Sequence, residues 1–278
     1  MPFLLRFLLS LPTVLLAMSV AQGHYTMLLP ETPSAKKGVP VTLIYQWGHP
    51  FEHQLFDAPP PARLAVFSPD GKEQDLTAAL EKVKVVATGD KGVNAYRLRF
   101  TPEQRGDYTF VLSTPPMWME EDKEFVQDNV QVVLHVQAQR SWDINTGQRF
   151  KLVPITRPYG LQAGTVFQAQ VQAPPLAAIA GPAGPTWPLR PLAWSLVEVE
   201  RYNIQPPERL PPDEQITRTC KSDPNGVVTC SLPEAGWWAI TAQRPGPARV
   251  RDGKRYQTRE RATLWVFVDK NPTAGPSQ

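Results

Sequence analysis

The stretch Val39-Pro40-Val41-Thr42-Leu43-Ile44-Tyr45 alternates in side-chain character and is rich in β-branched residues. This pattern is typical of a β-strand with one face buried, and it predicts a strand over 39–46. Similar short runs recur along the chain between turn sequences such as Ser68-Pro69-Asp70-Gly71. Because the chain also has 31 prolines among 278 residues and few runs of helical period, β structure with extended connections is expected.

The predicted strands fall into two sets, separated by a break in periodicity around 140–149. The first set covers 39–46, 62–68, 82–88, 94–100, 106–113 and 129–138. The second set covers 150–155, 165–173, 193–201, 215–221, 227–232, 236–243 and 261–269. This spacing predicts an all-β protein with two tandem β-sandwich domains, immunoglobulin-like or transthyretin-like, at 24–140 and 150–270.

Two connecting regions have their own predictions. Residues 75–80 are expected to form one helical turn capped by Asp75. Residues 174–191 are rich in proline, alanine and glycine, which predicts a long loop.

Residues 1–23 have the pattern of a cleaved secretory signal. They carry an early positive charge at Arg6, an apolar core from Phe7 to Val20 and the small-residue ending Ala21-Gln22-Gly23. The apolar core is shorter than the ~20 residues of a membrane-spanning helix, so an uncleaved anchor is the weaker alternative. Cleavage is predicted after Gly23, or a residue or two away. The mature protein is then expected to be soluble in the periplasm and to begin at His24.

Three of the four histidines are predicted to bind one metal ion. A terminal His24 offers an imidazole and a free α-amine, both good ligands for divalent nickel, copper or cobalt. His49 and His53 follow within 47–53, and Glu52 is a candidate oxygen ligand or an acceptor that orients an imidazole. The alternative is a polar surface loop without metal. Since imidazoles titrate near ~6.5 and an α-amine near ~7.7–8.0, affinity is expected to fall steeply below about pH 6.

Other residues with metal-binding or stacking chemistry have simpler structural interpretations. His135 is predicted to point outward or to lie between the domains. Met117 and Met119 flank Trp118, and such a thioether pair suits cuprous ion. Packing of this segment over one end of a sandwich is the simpler interpretation.

A tryptophan pair and a glutamate pair are interpreted in the same way. Strand alternation predicts that one of Trp237 and Trp238 points into the core and the other out to the surface. Glu198 and Glu200 share a strand face, an arrangement that acid–base catalysis uses. With no nucleophile identifiable, they are expected to be solvated or ion-paired.

Cys220 and Cys230 are the two cysteines of the chain. They flank Asp223-Pro224-Asn225-Gly226, a strong turn sequence. A hairpin centred on Asn225 would pair the two cysteines across its strands, and in an exported protein they should form a disulfide. A cysteine-based metal site is disfavoured, because no histidine lies near them in sequence.

The sequence contains no nucleophile elbow, phosphate-binding glycine loop or zinc-protease helix, so no enzymatic activity is expected. A formal charge of +3 without basic runs that alternate with aromatics argues against nucleic acid as a partner.

Several blocks of the chain resemble a known family. They are, in order, His24, Gly48-His49-Pro50-Phe51-Glu52-His53, Pro154-Ile155-Thr156-Arg157-Pro158-Tyr159-Gly160-Leu161-Gln162-Ala163-Gly164, Glu198-Val199-Glu200-Arg201-Tyr202-Asn203, Ser222-Asp223-Pro224-Asn225-Gly226-Val227 and Pro233-Glu234-Ala235-Gly236-Trp237-Trp238-Ala239. Together they resemble an exported, periplasmic domain-of-unknown-function family associated with nickel/cobalt transporters of the energy-coupling-factor type. The resemblance implies binding of nickel or cobalt, with membrane transporter components as partners.

The chain departs from that family in two places. The family's start His-Phe-Gly is His24-Tyr25-Thr26 here, which keeps the terminal histidine. The predicted disulfide hairpin has no counterpart in the family, and it lies in the other domain from the histidines.

Two other functions are compatible with the same residues. A copper histidine brace, in an oxidative enzyme or a copper carrier, would use His24 and one further histidine beside a flat aromatic surface. The metal-capture protein predicted above would instead use all three histidines and close the site. A structural or adhesion module would bind no metal, and its histidines would be dispensable.

Overall fold

The computed structural model describes residues 23–87, 92–175 and 188–271, and β-strands dominate them. The strands of the first half are β1 (Tyr25–Pro30), β2 (Ser34–Ala35), β3 (Val41–His49), β4 (Gln54–Phe56), β5 (Arg63–Phe67), β6 (Glu73–Asp75), β7 (Glu81–Val86), β8 (Gly92–Phe100), β9 (Gly106–Ser113), β10 (Met117–Met119) and β11 (Glu124–Val136). Those of the second half are β12 (Lys151–Pro154), β13 (Leu161–Gln162), β14 (Thr165–Ala173), β15 (Arg190–Pro191), β16 (Leu196–Arg201), β17 (Arg218–Lys221), β18 (Val227–Leu232), β19 (Gly236–Arg251) and β20 (Lys254–Asp269). The predicted all-β class is confirmed.

Helical structure in the described residues is limited to two short turns, a 3-10 turn at Thr77–Ala79 and an α-helical turn at Asp213–Ile216. The N-cap of the 3-10 turn is Leu76, without a side-chain cap, so the prediction that Asp75 caps a helical turn over 75–80 is wrong in position. Asp75 lies one residue earlier, where its carboxylate accepts a hydrogen bond of 2.8 Å from the Thr77 N–H. No helix in these residues is both long and apolar enough to cross a membrane. The predicted signal peptide up to residue 22, and 176–187 of the predicted loop, lie outside the described residues.

Sequence pattern located most of the larger strands but missed β1. Its residues, Tyr25–Pro30, are all buried, so the strand has no polar side that would produce alternation. A short, continuously apolar run cannot be assigned to strand or helix by periodicity alone. The strand that carries His24 at its start was therefore not predicted.

The strands form three sheets. The N-terminal sheet has the order β1-β3-β8-β7, with β4 paired to β3. The long sheet has the order β17-β16-β19-β20-β11-β9-β5-β6, with β2 and β10 on β11 and β13 on β20. The C-terminal sheet consists of β12, β14, β15 and β18.

Two hydrophobic cores correspond to the two sandwiches. The first core lies between the N-terminal sheet and the long sheet, and the second lies between the long sheet and the C-terminal sheet. The long sheet is continuous through both sandwiches, because β11 of the first half pairs in parallel with β20 of the second. The two sandwiches therefore share one continuous β-sheet.

The shared sheet explains why the tryptophan prediction is wrong in part. Trp237 and Trp238 do point to opposite faces, but both are buried, at 8% and 4% exposure. Trp237 packs in the first core and Trp238 in the second. A strand covered on both faces has no solvent side, so alternation here separates two cores rather than core from surface.

The predicted cysteine hairpin is also wrong. The turn forms as expected, with the Gly226 N–H donating to the Asp223 carbonyl at 2.9 Å. However, β17 pairs with β16 in the long sheet, whereas β18 pairs with β14 in the C-terminal sheet. Cys220 and Cys230 consequently do not pair across a hairpin but lie on strands of different sheets. Both pack against the second core, and the structure shows no bond between them. The turn sequence determines where the chain reverses, but not which strands its arms pair with.

His135 lies at the contact between the two halves of the chain. Its Nδ1 is 2.7 Å from the Asp107 carboxylate, and its ring stacks on Tyr159 at 4.3 Å. The Tyr159 hydroxyl donates to the other carboxylate oxygen of Asp107 at 2.9 Å. This network supports the inter-domain position predicted for His135.

Candidate metal site

Strand register brings His24 opposite His49. β1 and β3 are antiparallel, with Tyr25 opposite Gly48. Continuing this register by one residue places His24 across from His49. Directly opposed residues in an antiparallel pair, and residues two apart along a strand, project from the same face. His24, His49 and Trp47 therefore share one face of the N-terminal sheet.

The two imidazoles are in contact inside an aromatic enclosure. The ring centroids of His24 and His49 are 4.6 Å apart. His24 stacks on Trp47 at 4.5 Å, with an angle of 16° between the ring planes. Phe56, opposite Trp47 on β4, lies 4.8 Å from the ring of His24 and 5.8 Å from that of His49. Aromatic walls on this scale restrict both imidazoles and exclude part of the surrounding water.

Burial favours the neutral form of both imidazoles. It lowers the pKa of His24 to about 4, with further lowering from the neighbouring His49 and from Arg261. Burial also lowers the pKa of His49. A neutral imidazole is the form that binds a metal ion, so near neutral pH no proton has to leave either ring before metal binding.

The geometry of β3 and β4 depends on Gly48. Its φ is +150°, and a Cβ atom at this position would lie 2.1 Å from the Gln54 carbonyl oxygen and 2.9 Å from the Leu55 Cα. Only glycine allows the two backbones to approach this closely. This approach lets β4 fold back on β3 and places Phe56 against the histidine pair.

His53 does not join the His24–His49 pair. It occupies the turn between β3 and β4 with φ at +51°, and its Nδ1 lies 2.9 Å from the Asn203 carbonyl oxygen in the second half of the chain. Its ring centroid is 5.8 Å from that of Tyr202. Residues 23–87, 92–175 and 188–271 contain no group of three or more His, Cys, Asp or Glu side chains placed to hold a metal ion.

Glu52, the fourth predicted ligand, has a buried carboxylate whose charge acts on a second buried carboxylate, that of Glu200. Its carboxylate oxygens are buried and accept no hydrogen bond from another described residue. Burial raises its pKa. Burial also raises the pKa of Glu200 to about 8, and the charge of Glu52 contributes to that increase.

The expectation that Glu200 is solvated or ion-paired is wrong. Glu200 is 3% exposed and accepts hydrogen bonds from the Phe51 N–H at 3.2 Å and from the Thr217 hydroxyl. Glu198, two residues earlier, accepts a hydrogen bond of 3.0 Å from the Tyr25 hydroxyl. The hydrogen bonds to Glu198 and Glu200 therefore hold β1 and the β3–β4 turn against β16.

A buried ion pair anchors the segment that carries His24. The Arg261 guanidinium donates to the carbonyl oxygen of His24 and forms two hydrogen bonds with the Asp128 carboxylate, at 2.6 and 2.7 Å. The Thr26 hydroxyl donates to the same carboxylate at 2.6 Å. Sequence pattern offered no indication of this pair, because its members lie 133 residues apart.

A cavity of about 250 Å³ opens beside His24. Its walls include Trp47 together with Met117, Trp118 and Met119 of β10 and the turn residues Glu120, Glu121 and Asp122. The segment 117–119 was interpreted as packing over one end of a sandwich. It is instead a short strand that forms one wall of this cavity.

Comparison with known protein families identifies the chain at the level of the family. A profile described as "Domain of unknown function (DUF4198)" matches residues 21–174, more than half of the chain. The chain belongs to the DUF4198 family. The match includes His24 and the β3–β4 turn, and it confirms the resemblance at the coarser level of a domain-of-unknown-function family. No curated protein matches the sequence.

Solved structures show only faint similarity. A DUF4785 family protein from Legionella pneumophila is 10% identical with a TM-score of 0.27, over 79% of this chain and 52% of that protein. The present chain thus spans about half of the Legionella protein. The D0-D1 domain of intimin is 11% identical with a TM-score of 0.21, over 88% and 100% of the two chains. The human OSCAR ligand-binding domain is 15% identical with a TM-score of 0.20, over 87% and 97%. The fold assignment rests on the strand pairing and the two cores, not on these matches.

Proposed function

We propose that this protein is exported, begins at His24 after cleavage, and captures one divalent late transition metal ion through His24 and His49. The contact between these two neutral imidazoles, at 4.6 Å between ring centroids, carries the proposal. A terminal His24 would add its α-amine, so that two residues supply three nitrogen donors. Such donors suit nickel, cobalt and copper, and the residues present therefore fit a metal of this class.

The resemblance to the nickel/cobalt uptake family supports nickel or cobalt as the captured ion, with components of a membrane transporter as the recipients. The location of the pair is consistent with transfer. His24 lies on the wall of an open cavity rather than in a closed core. A bound ion would leave through this cavity without unfolding of either sandwich.

Copper is the second candidate, and a specific observation favours it. Because His53 contacts Asn203, the remaining donor set is two imidazoles and one amine, which is that of a copper histidine brace. The thioethers of Met117 and Met119 line the adjacent cavity, and thioethers are ligands that cuprous ion prefers. Affinity alone does not separate the candidates, because copper(II) binds most tightly at almost any nitrogen site.

Calorimetry on the mature protein tests the proposed donor set. The protein should be purified from the periplasm and its start at His24 verified by intact mass. One residue added ahead of His24, or His49→Ala, should each weaken nickel binding by at least about tenfold, since even outer-shell partners of a metal contribute about 10–100-fold. His53→Gln should bind nickel like the wild type.

The matched control is His135→Gln, which removes an imidazole outside the pair. Equal nickel affinity in the wild-type, extended and His49→Ala proteins would disprove the site and leave the structural-module alternative. If His53→Gln loses as much nickel affinity as His49→Ala, His53 is also a ligand, and the predicted site of three histidines is correct. The metal content of the periplasmic protein then separates nickel and cobalt from copper.

The lowered imidazole pKa values change the pH dependence expected from sequence. At pH 5–7 His24 is already neutral, because its pKa is about 4, and the pKa of His49 is also lowered. The α-amine, near ~7.7–8.0, is then the donor with the highest pKa, so it is the donor for which protons compete most strongly with the metal. Affinity should fall by about tenfold per pH unit between pH 7 and 5. A fall of about a hundredfold or more per unit just below pH 6.5 would show that the imidazoles titrate normally.

A further inference from the structure

β19 and β20 extend beyond their neighbours in the long sheet as a two-stranded ribbon. β16 pairs with β19 only as far as Ala242, and β11 pairs with β20 only from Thr258 onward. Past these limits, β19 and β20 continue to pair with each other as far as Arg251 and Lys254. In the described part of the chain, residues 246–257 therefore pair with no third strand.

The turn that ends the ribbon is tight. Asp252 and Gly253 connect the two strands, and both have positive φ, at 50° and 73°. Positive φ at both central residues marks a type I′ turn, whose twist matches that of the flanking strands. The ribbon therefore keeps regular strand pairing up to a narrow tip.

The tip is strongly cationic. Seven consecutive residues contain four basic side chains and one carboxylate, that of Asp252; the basic residues are Arg249, Arg251, Lys254 and Arg255. Asp252 is 87% exposed and lies 3.5 Å from the Nε of Arg251, so solvent screens its charge. Lys254 and Arg255 are exposed. Most of the positive charge at the tip thus has no counter-ion among the residues that the structure describes.

Apolar and aromatic side chains accompany these cations. Val250 is 67% exposed and lies opposite Arg255. At the base of the ribbon, the ring centroid of Trp118 is 4.7 Å from that of Tyr256 and 4.5 Å from the guanidinium carbon of Arg251. Cations bind phosphate groups, tryptophan and tyrosine are enriched at the depth of lipid headgroups, and aliphatic side chains beside them reach the acyl boundary. This combination fits a phospholipid surface.

We propose that the ribbon of residues 246–257 docks this protein on an anionic phospholipid surface. The exposed Val250 favours lipid over an acidic protein face, because acyl chains bury an aliphatic side chain, whereas a face of carboxylates leaves it among polar groups. The proposal does not depend on metal binding. Docking would nevertheless bring the cavity beside His24 close to the lipid, because Trp118 lines that cavity and contacts the ribbon.

Sedimentation with lipid vesicles tests the proposal on protein purified from the periplasm, with its intact mass verified. At low salt the wild type should bind vesicles of phosphatidylglycerol and phosphatidylcholine in equal parts at least about tenfold more tightly than vesicles of phosphatidylcholine alone, because each cation near an anionic surface adds to the attraction. Salt at ~0.5 M should remove most of this difference.

The double variant Lys254→Glu/Arg255→Glu should lose at least about tenfold in affinity for the anionic vesicles. The matched control is Lys36→Glu/Lys37→Glu, which changes the net charge by the same amount at exposed positions between β2 and β3 and should stay within about threefold of the wild type. Val250→Ser leaves the charge unchanged and should weaken binding by about threefold or more, since it removes the apolar contact. Urea denaturation verifies that each variant is folded.

Wild-type affinity in Lys254→Glu/Arg255→Glu, or an equal loss in the lysine control, would overturn the proposal. Full affinity in Val250→Ser would overturn the role of the valine. If the wild type binds no anionic vesicles but binds immobilised polyglutamate through Lys254 and Arg255, the partner is an acidic polypeptide and the membrane is ruled out. His49→Ala should bind vesicles like the wild type, so failure of this proposal is distinct from failure of the metal site.

Discussion

Replacing Asp128 by asparagine should lower the free energy of unfolding by about 3–5 kcal/mol. Asp128 and Arg261 are 1% and 4% exposed, and their hydrogen bonds of 2.6 and 2.7 Å join β11 to β20. Removing the carboxylate charge leaves the guanidinium buried without a counter-ion, and this uncompensated charge accounts for most of the loss. Urea denaturation measures the difference.

The matched control is Glu81→Gln, which breaks an exposed ion pair with Arg97 at 2.7 Å. That change should lower the free energy of unfolding far less than Asp128→Asn does, because solvent screens exposed pairs. Since Arg261 also holds the carbonyl of His24, Asp128→Asn should in addition weaken nickel binding. A stability loss in Asp128→Asn no greater than that of the control would contradict the structural role assigned to the buried pair.

The Glu200 carboxyl should contribute a loss of stability as pH rises from about 4.5 to about 8, and Glu200→Gln should remove that contribution. Burial raises the folded-state pKa of Glu200 to about 8 from an ordinary value of 4.5. Between these values the folded protein holds a proton that the unfolded chain releases. The stabilisation is therefore complete below the unfolded pKa and is lost by the time pH reaches the folded pKa. The loss is on the order of 3–5 kcal/mol.

Glutamine keeps the acceptor that the Phe51 N–H and Thr217 hydroxyl require, but it does not ionise. The Glu200→Gln variant should therefore exceed the wild type in stability at pH 8–9 and differ from it little at pH 5. Urea midpoints for both proteins across this range provide the measurement. Parallel stability curves at all pH values would show that Glu200 ionises normally in the folded state.

Local sequence pattern was sufficient for the strands that have one buried face and a defined turn at each end. Thr165–Ala173 and Val227–Leu232 begin and end where alternation and flanking turns placed them. The turn near Asp75 was predictable for the same reason, because the hydrogen bond between Asp75 and Thr77 joins residues only two positions apart. Interactions confined to a few residues are encoded by those residues alone.

The histidines show the limit of this reasoning. Residue type and a predicted cleavage site were enough to single out His24, His49 and His53 as candidate ligands. The structure brings together only His24 and His49, because the register of β1 on β3 places them opposite each other. His53 lies one turn away, at the carbonyl of Asn203. Spacing in sequence alone did not show which of His49 and His53 lies beside His24.

The sequence by itself thus determined the β class, the turns, most larger strands and the residue types from which the candidate site is built. The tertiary structure alone decided which strands pair, and with that the separation of Cys220 from Cys230 into two sheets, the burial of both Trp237 and Trp238, and the burial of Glu200. The physical reason is that a strand's alternation depends on its own residues, whereas its hydrogen-bond partner and the cover on each face come from segments far away in the chain.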